Sequence, residues 1–175
     1  MSGDEVQAPP WAGLTWAEYH AQVMALSAYP AEHRQLCAQA GMIAELGELL
    51  SLFDVRRALK KGPPEREAVR AELGDVLWYA VLGDVEGRMR WYWTGSWHEA
   101  WDYPADTSGI VHGIMREVRA LCGDERHGCA TIARLAGALG FGLQEVAWFN
   151  LEKLRARREA GTLHDREARG AGGGV

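Results

Sequence analysis

"AELGELLS", residues 44–51, and "AELGDVLWYA", residues 71–80, each set a pair of acids into apolar sequence: Glu45 with Glu48, and Glu72 with Asp75. Residues three apart share one face of a helix, so each pair makes an acidic patch on a helix. A solvated face would carry bases one turn away, as where Glu67 meets Arg70 and Glu152 meets Arg155. The neighbours of the four acids at that spacing are instead residues such as Gly41, Met42, Leu49, Val69, Val76 and Trp78. These acids therefore lie at the edge of an apolar face or within it.

Outward from these pairs the chain reads as all-α, because its periodic stretches recur at helical spacing and no segment alternates apolar and polar residues at length. Thr15 caps a first helix over "WAEYHAQVMALSAY", Glu18 completes a capping box, and Pro30 ends the helix. A second helix starts near Glu32 and stops at or before "KKGPP", where Gly62 and two prolines break it. A third carries the line Val69, Leu73, Val76, Leu77 and Ala80 and continues toward Met89. The two form an antiparallel hairpin.

"RWYWTGSWHEAWDYPADTSG", residues 90–109, holds four of the eight tryptophans and is an aromatic-rich, irregular insertion. Beyond it come an additional helix over 108–121, a short one over 130–138 and a last from Leu143 to about Glu159. Residues 1–164 are expected to form a single helical domain, and 165–175, ending in "GAGGGV", a flexible tail.

A hairpin turning at Gly62 sets a geometric problem. Glu48 lies 14 residues before that glycine and Glu72 lies 10 after it. With about 1.5 Å of rise per residue, an ideal tight hairpin would misalign the pairs by roughly 6 to 9 Å. The second helix is therefore expected to end before Lys60, letting "LKKGPP" climb as a loop and bring the pairs level.

Composition narrows the function classes. Hydrophobic residues make up 47% and charged residues 25%, as in a globular protein. A net charge of -5 argues against a nucleic acid polymer as partner, since that mode needs clustered Lys and Arg. No apolar run approaches a membrane span, and "MSGDEVQAPPW" is unlike a secretory leader, so no membrane partner and a cytoplasmic location are expected. The three cysteines fit a reducing compartment; Cys122, His127 and Cys129 lack an evident fourth zinc ligand.

Carboxylates drawn together in a partly desolvated place either raise one another's pKa values or are neutralised by a cation. Oxygen ligands without His or Cys favour magnesium, with manganese as the alternative, over zinc. Magnesium commonly joins a few carboxylates to substrate phosphates.

"ELGE", 23 residues, then "ELGDVLWY" resembles the hallmark of the MazG-like all-α nucleoside triphosphate pyrophosphohydrolases, ExxE followed by ExxD. "FNLEKLRARREAG" is similar to the family's C-terminal Asn-x-x-Lys-Leu segment, and "ALKKG" stands where members often carry lysines. The resemblance covers about residues 36–85 and 139–164 and leaves the first helix and the middle segment poorly matched. It implies a helical bundle that cleaves a ribo- or deoxyribonucleoside triphosphate between its α and β phosphates. It implies that Glu45, Glu48, Glu72 and Asp75 bind magnesium, one of the first pair also activating water. It brings Asn150 and Lys153 to the nucleotide, offers Lys60 and Lys61 to phosphate against the competing reading of a solvated helix end, and implies a homo-oligomer, a dimer or tetramer.

Trp78, one turn from Asp75, is a candidate wall for the base, with core packing as the competing reading. "LGFGLQE" around Gly140 and Gly142 follows no strand and lacks a Lys-Ser or Lys-Thr ending, so it marks a helix boundary and not a P-loop. Two alternatives stand beside the pyrophosphohydrolase: an enzyme like phosphoribosyl-ATP pyrophosphohydrolase, and a catalytically idle helical protein that binds a nucleotide or partner.

Overall fold

Among the described residues of the computed structural model the regular structure is six α-helices and one 3-10 turn: α1 (Trp16–Leu26), α2 (Arg34–Leu52), α3 (Arg66–Leu82), the turn Arg88–Tyr92, α4 (Thr107–Cys122), α5 (Gly128–Ala138) and α6 (Leu143–Glu159). The structure describes residues 8–53, 64–84, 88–94, 107–122 and 128–162, and among the described residues there is no strand. None of the described helices is long and apolar enough to cross a membrane.

α1 begins where its cap requires. Thr15 Oγ1 accepts from the Glu18 amide at 3.3 Å and Glu18 accepts from the Thr15 amide at 2.9 Å, which closes the capping box. The Thr15 amide first, and second the Thr15 hydroxyl, which donates to Glu18 Oε2 at 2.7 Å, hold the exposed Glu18 carboxyl below its ordinary pKa. The helix stops at Leu26, before Pro30, because Ser27 turns extended and its Oγ accepts from the Tyr29 amide at 3.3 Å. Tyr19, Val23 and Leu26 form its buried stripe.

α2 and α3 pack along each other, and three juxtapositions give the register. Glu45 meets Asp75, the Gly41 position faces the Tyr79 ring, and Gly83 lies against Ala38. Partner numbers fall in α3 as they rise in α2, so the pair is antiparallel and symmetric about residue 60, not about Gly62. That register brings the two acid pairs level. α2 ends at Leu52 with Phe53 as its C-cap, well before Lys60; residues 54–63, with the "LKKG" segment, lie outside the described residues.

α3 does not continue toward Met89. It ends at Leu82 with Gly83 as its C-cap, where a Cβ would come within 3.0 Å of the Ala38 methyl. Glycine is a poor helix former, and here it also lets the end of α3 close onto α2. α6 packs on α3, and α1 packs on both. One hydrophobic core gathers residues of all six described helices, among them Val23, Leu46, Leu73, Ile114, Leu135 and Leu151.

The corner between α5 and α6 is a glycine C-cap. Gly140 takes φ 76°, in the left-handed region that favours glycine, and the Phe141 amide bonds the Ala136 carbonyl at 2.8 Å. Arg66 holds this corner to the start of α3: it donates to the Gly140 carbonyl at 2.8 Å and lies 3.9 Å over the Phe141 ring. Arg70 likewise lies 3.4 Å over the Phe149 ring and pairs with Glu145 at 3.3 Å. It turns to α6 for its partner, whereas Glu152 and Arg155 pair along one helix at 2.8 Å as their spacing predicts.

The Trp-rich insertion divides. Trp91 is exposed, while Trp93 is buried, with its indole N–H on the Leu14 carbonyl at 2.8 Å. Trp97 and Trp101 lie outside the described residues, as do the tail at 165–175, His127 and the side chains of Cys122 and Cys129.

Candidate metal centre

Glu45 enters from α2, and Glu72 and Asp75 enter from α3. One carboxylate oxygen of each lies within 4.8 Å of the others. Glu45 and Asp75 are buried and Glu72 is half-buried. Three carboxylates this close repel one another unless positive charge is supplied. The donor set is all oxygen, the kind that magnesium and manganese take. Ligand oxygens about 2.1 Å from a magnesium ion stand about 3 to 4 Å apart, a spacing close to that of this cluster.

Glu48 does not join this group. Residues three apart on a helix differ by about 60° around the axis, and with Glu45 turned inward Glu48 falls on the exposed rim. It remains one turn along α2 from Glu45, open to solvent.

α6 supplies the supports. Asn150 is 3% exposed and donates through Nδ2 to Asp75 Oδ1 at 3.0 Å. Its Oδ1 accepts from the Tyr19 hydroxyl at 3.2 Å. Lys153, one turn further, puts Nζ 2.5 Å from the same Asp75 oxygen and 3.4 Å from the Ala71 carbonyl. Asn150 and Lys153 therefore both reach the acidic site, and both contact Asp75. Gly74 admits Asn150: a Cβ there would stand 3.1 Å from the Asn150 Cβ.

No protein-family model, curated protein or solved structure matches this chain. The chemistry of the site rests on its own residues.

Trp78 is 9% exposed and belongs to the hydrophobic core. Lys60 and Lys61 lie outside the described residues. Tyr19 and Gly74 were not singled out by the acid-pair pattern. Tyr19 had one local signal: it is the polar-tipped member of the apolar line Tyr19, Val23, Leu26, and a buried tyrosine hydroxyl requires a partner. Burial and, second, the negative charge of Asp75 raise the Tyr19 phenol well above its ordinary pKa, so it remains a neutral donor.

Proposed function

We propose that this protein is a metal-dependent nucleoside triphosphate pyrophosphohydrolase of the MazG-like kind, acting on a ribo- or deoxyribonucleoside triphosphate. The observation that carries the reading is the convergence of Glu45, Glu72 and Asp75 from two antiparallel helices to within 4.8 Å, with Asn150 and Lys153 directed at Asp75. The oxygen-only donor set supports magnesium, or manganese, as the bound ion.

In the proposed reaction water attacks the α-phosphorus, the bond to the bridging oxygen breaks, and nucleoside monophosphate and pyrophosphate form. Glu45, Glu72 and Asp75 would hold the divalent ion, which when bound would supply charge neutralisation at the triphosphate and at the departing pyrophosphate. Glu48, exposed one turn from Glu45, would join the ligands when an ion binds or take the water's proton and pass it to solvent. Asn150 keeps the Asp75 carboxylate oriented. Lys153, 24% exposed, would turn part of its ammonium's bonding from Asp75 to substrate phosphates.

A catalytically idle protein is the second reading. It draws on the Lys153 ammonium, which brings positive charge to Asp75 without any ion. Liquid chromatography of a panel of nucleoside triphosphates and phosphoribosyl-ATP, incubated with magnesium or with chelator, separates the two. Monophosphate plus pyrophosphate formed only with metal is the expected result. Cleavage of phosphoribosyl-ATP alone would move the assignment to that enzyme class. No product from any substrate, with folded protein, would overturn the enzyme reading.

A further inference from the structure

We propose that Tyr19 is a positioning residue of the acidic site: its hydroxyl holds the Asn150 carboxamide in the one orientation that presents an N–H to Asp75. This rests on the reading of Glu45, Glu72 and Asp75 as a cation site.

The orientation follows from donor and acceptor chemistry. An ionised carboxylate only accepts, so the amide must turn Nδ2 to Asp75, where the two meet at 3.0 Å. The amide oxygen then points the other way, toward α1, in a place where Asn150 is 3% exposed. A buried carbonyl oxygen requires a donor, and the Tyr19 hydroxyl stands 3.2 Å from it. The reversed amide would face its carbonyl to a carboxylate, two acceptors with no hydrogen between them.

Neither end of this relay is free to drift. The Tyr19 ring is fully buried and stacks on Trp93, with centroids 5.4 Å apart and planes 26° apart. Trp93 is itself fixed by its bond to the Leu14 carbonyl at 2.8 Å. On the other side the absent Cβ of Gly74 lets Asn150 lie against α3, where a methyl would stand 3.1 Å from its Cβ. A phenylalanine at position 19 would fill the same core volume, so packing does not require the hydroxyl. The relay makes α1 a part of the site.

The test is manganese affinity, read from the electron paramagnetic resonance of free Mn2+ titrated with the full chain. Loss of an outer hydrogen bond to a ligand weakens metal binding by about 10-fold or more; Asn150→Ala removes such a bond, and Tyr19→Phe, one bond further from the ion, is expected to raise the Mn2+ Kd by a smaller factor, about 3- to 10-fold. In an Asn150→Ala background the same substitution is expected to change Kd by less than about twofold, because the relay is already cut.

An unchanged Kd in Tyr19→Phe, or an equal loss in both backgrounds, would overturn the relay and leave the cation site standing. A wild-type chain that takes up no Mn2+ would overturn the cation reading and the relay with it. If Tyr19→Phe fails to fold, the unaltered protein still decides. The Asn150 side-chain amide should resist exchange in deuterated water and shift in nuclear magnetic resonance when Mg2+ is added. An amide that exchanges as an exposed one does would overturn the proposal.

Discussion

Lys153 Nζ lies 2.5 Å from Asp75 Oδ1, on the same oxygen that Asn150 Nδ2 reaches at 3.0 Å. A positive charge and a neutral donor from adjacent turns of α6 thus converge on one carboxylate of α3. Lys153→Met keeps most of the aliphatic stem and removes the charge. With Asp75 buried beside Glu45 and Glu72, and the lysine partly exposed, the loss should be about 1 to 2 kcal/mol. Urea unfolding in the presence of chelator measures it, and an unchanged midpoint would show that the ion pair contributes nothing to stability.

Gly74 and Gly47 make a matched contrast. An added Cβ at Gly74 would stand 3.1 Å from the Asn150 Cβ, while at Gly47 it meets nothing within 4 Å. Asn150 is held by Tyr19 and Asp75 and has little room to give. Gly74→Ala should therefore destabilise by about 1 to 3 kcal/mol, and Gly47→Ala should stabilise by about 0.5 to 1 kcal/mol through helix propensity. Thermal unfolding of the two variants should move in opposite directions; movement in the same direction would contradict the tight approach of α6 to α3.

Much of this architecture was legible because its signals are local. Thr15 with Glu18, the helix boundary at Gly140, and the end of α6 before Gly161 follow from capping chemistry that involves neighbours within one turn. The depth of Glu45 and Asp75 was legible from the lack of bases one turn away, but Glu48 shares that lack and is exposed. What was not legible depends on contacts distant in sequence. Nothing in "ELGE" says that Glu45 turns inward and Glu48 outward; the packing of α3 decides it. The stop of α3 at Gly83 reflects its approach to Ala38, and the partnership of Tyr19 with Asn150 spans 131 residues. Likewise the pairing of Arg70 with Glu145 overrides the nearer Glu67 because α6 also offers the Phe149 ring.

Tyr19 gives a pH dependence with a definite sign. Its phenol is held well above the ordinary 10.0 in the folded chain, by burial first and the Asp75 charge second. Above about pH 10 the unfolded chain loses this proton and the folded chain keeps it, so the unfolded state binds fewer protons and stability falls as pH rises. The contribution is complete below the unfolded pKa and declines by about 1.4 kcal/mol per pH unit from there until the folded pKa is reached. The difference between wild type and Tyr19→Phe isolates it from the other tyrosines. Phenolate absorbance of the native protein should show Tyr19 silent near pH 10, and its ionisation there would remove the predicted slope.

Glu45→Gln separates repulsion from metal affinity, because the amide keeps the shape of the side chain and removes one negative charge from the cluster. Without divalent metal the substitution relieves repulsion among Glu45, Glu72 and Asp75, so the chelated variant should unfold at the same or a higher temperature than chelated wild type. With metal the order reverses. A ligand that binds only the folded state at 100 times its Kd adds about 2.7 kcal/mol, and wild type should gain on that scale from Mg2+ or Mn2+ while Glu45→Gln gains far less. Differential scanning fluorimetry with chelator and with each ion gives all the needed comparisons. Equal metal responses in the two proteins would exclude Glu45 as a ligand. A wild type indifferent to both ions would return the cluster to a set of carboxylates balanced by the protein's own charges, with Lys153 chief among those seen at Asp75.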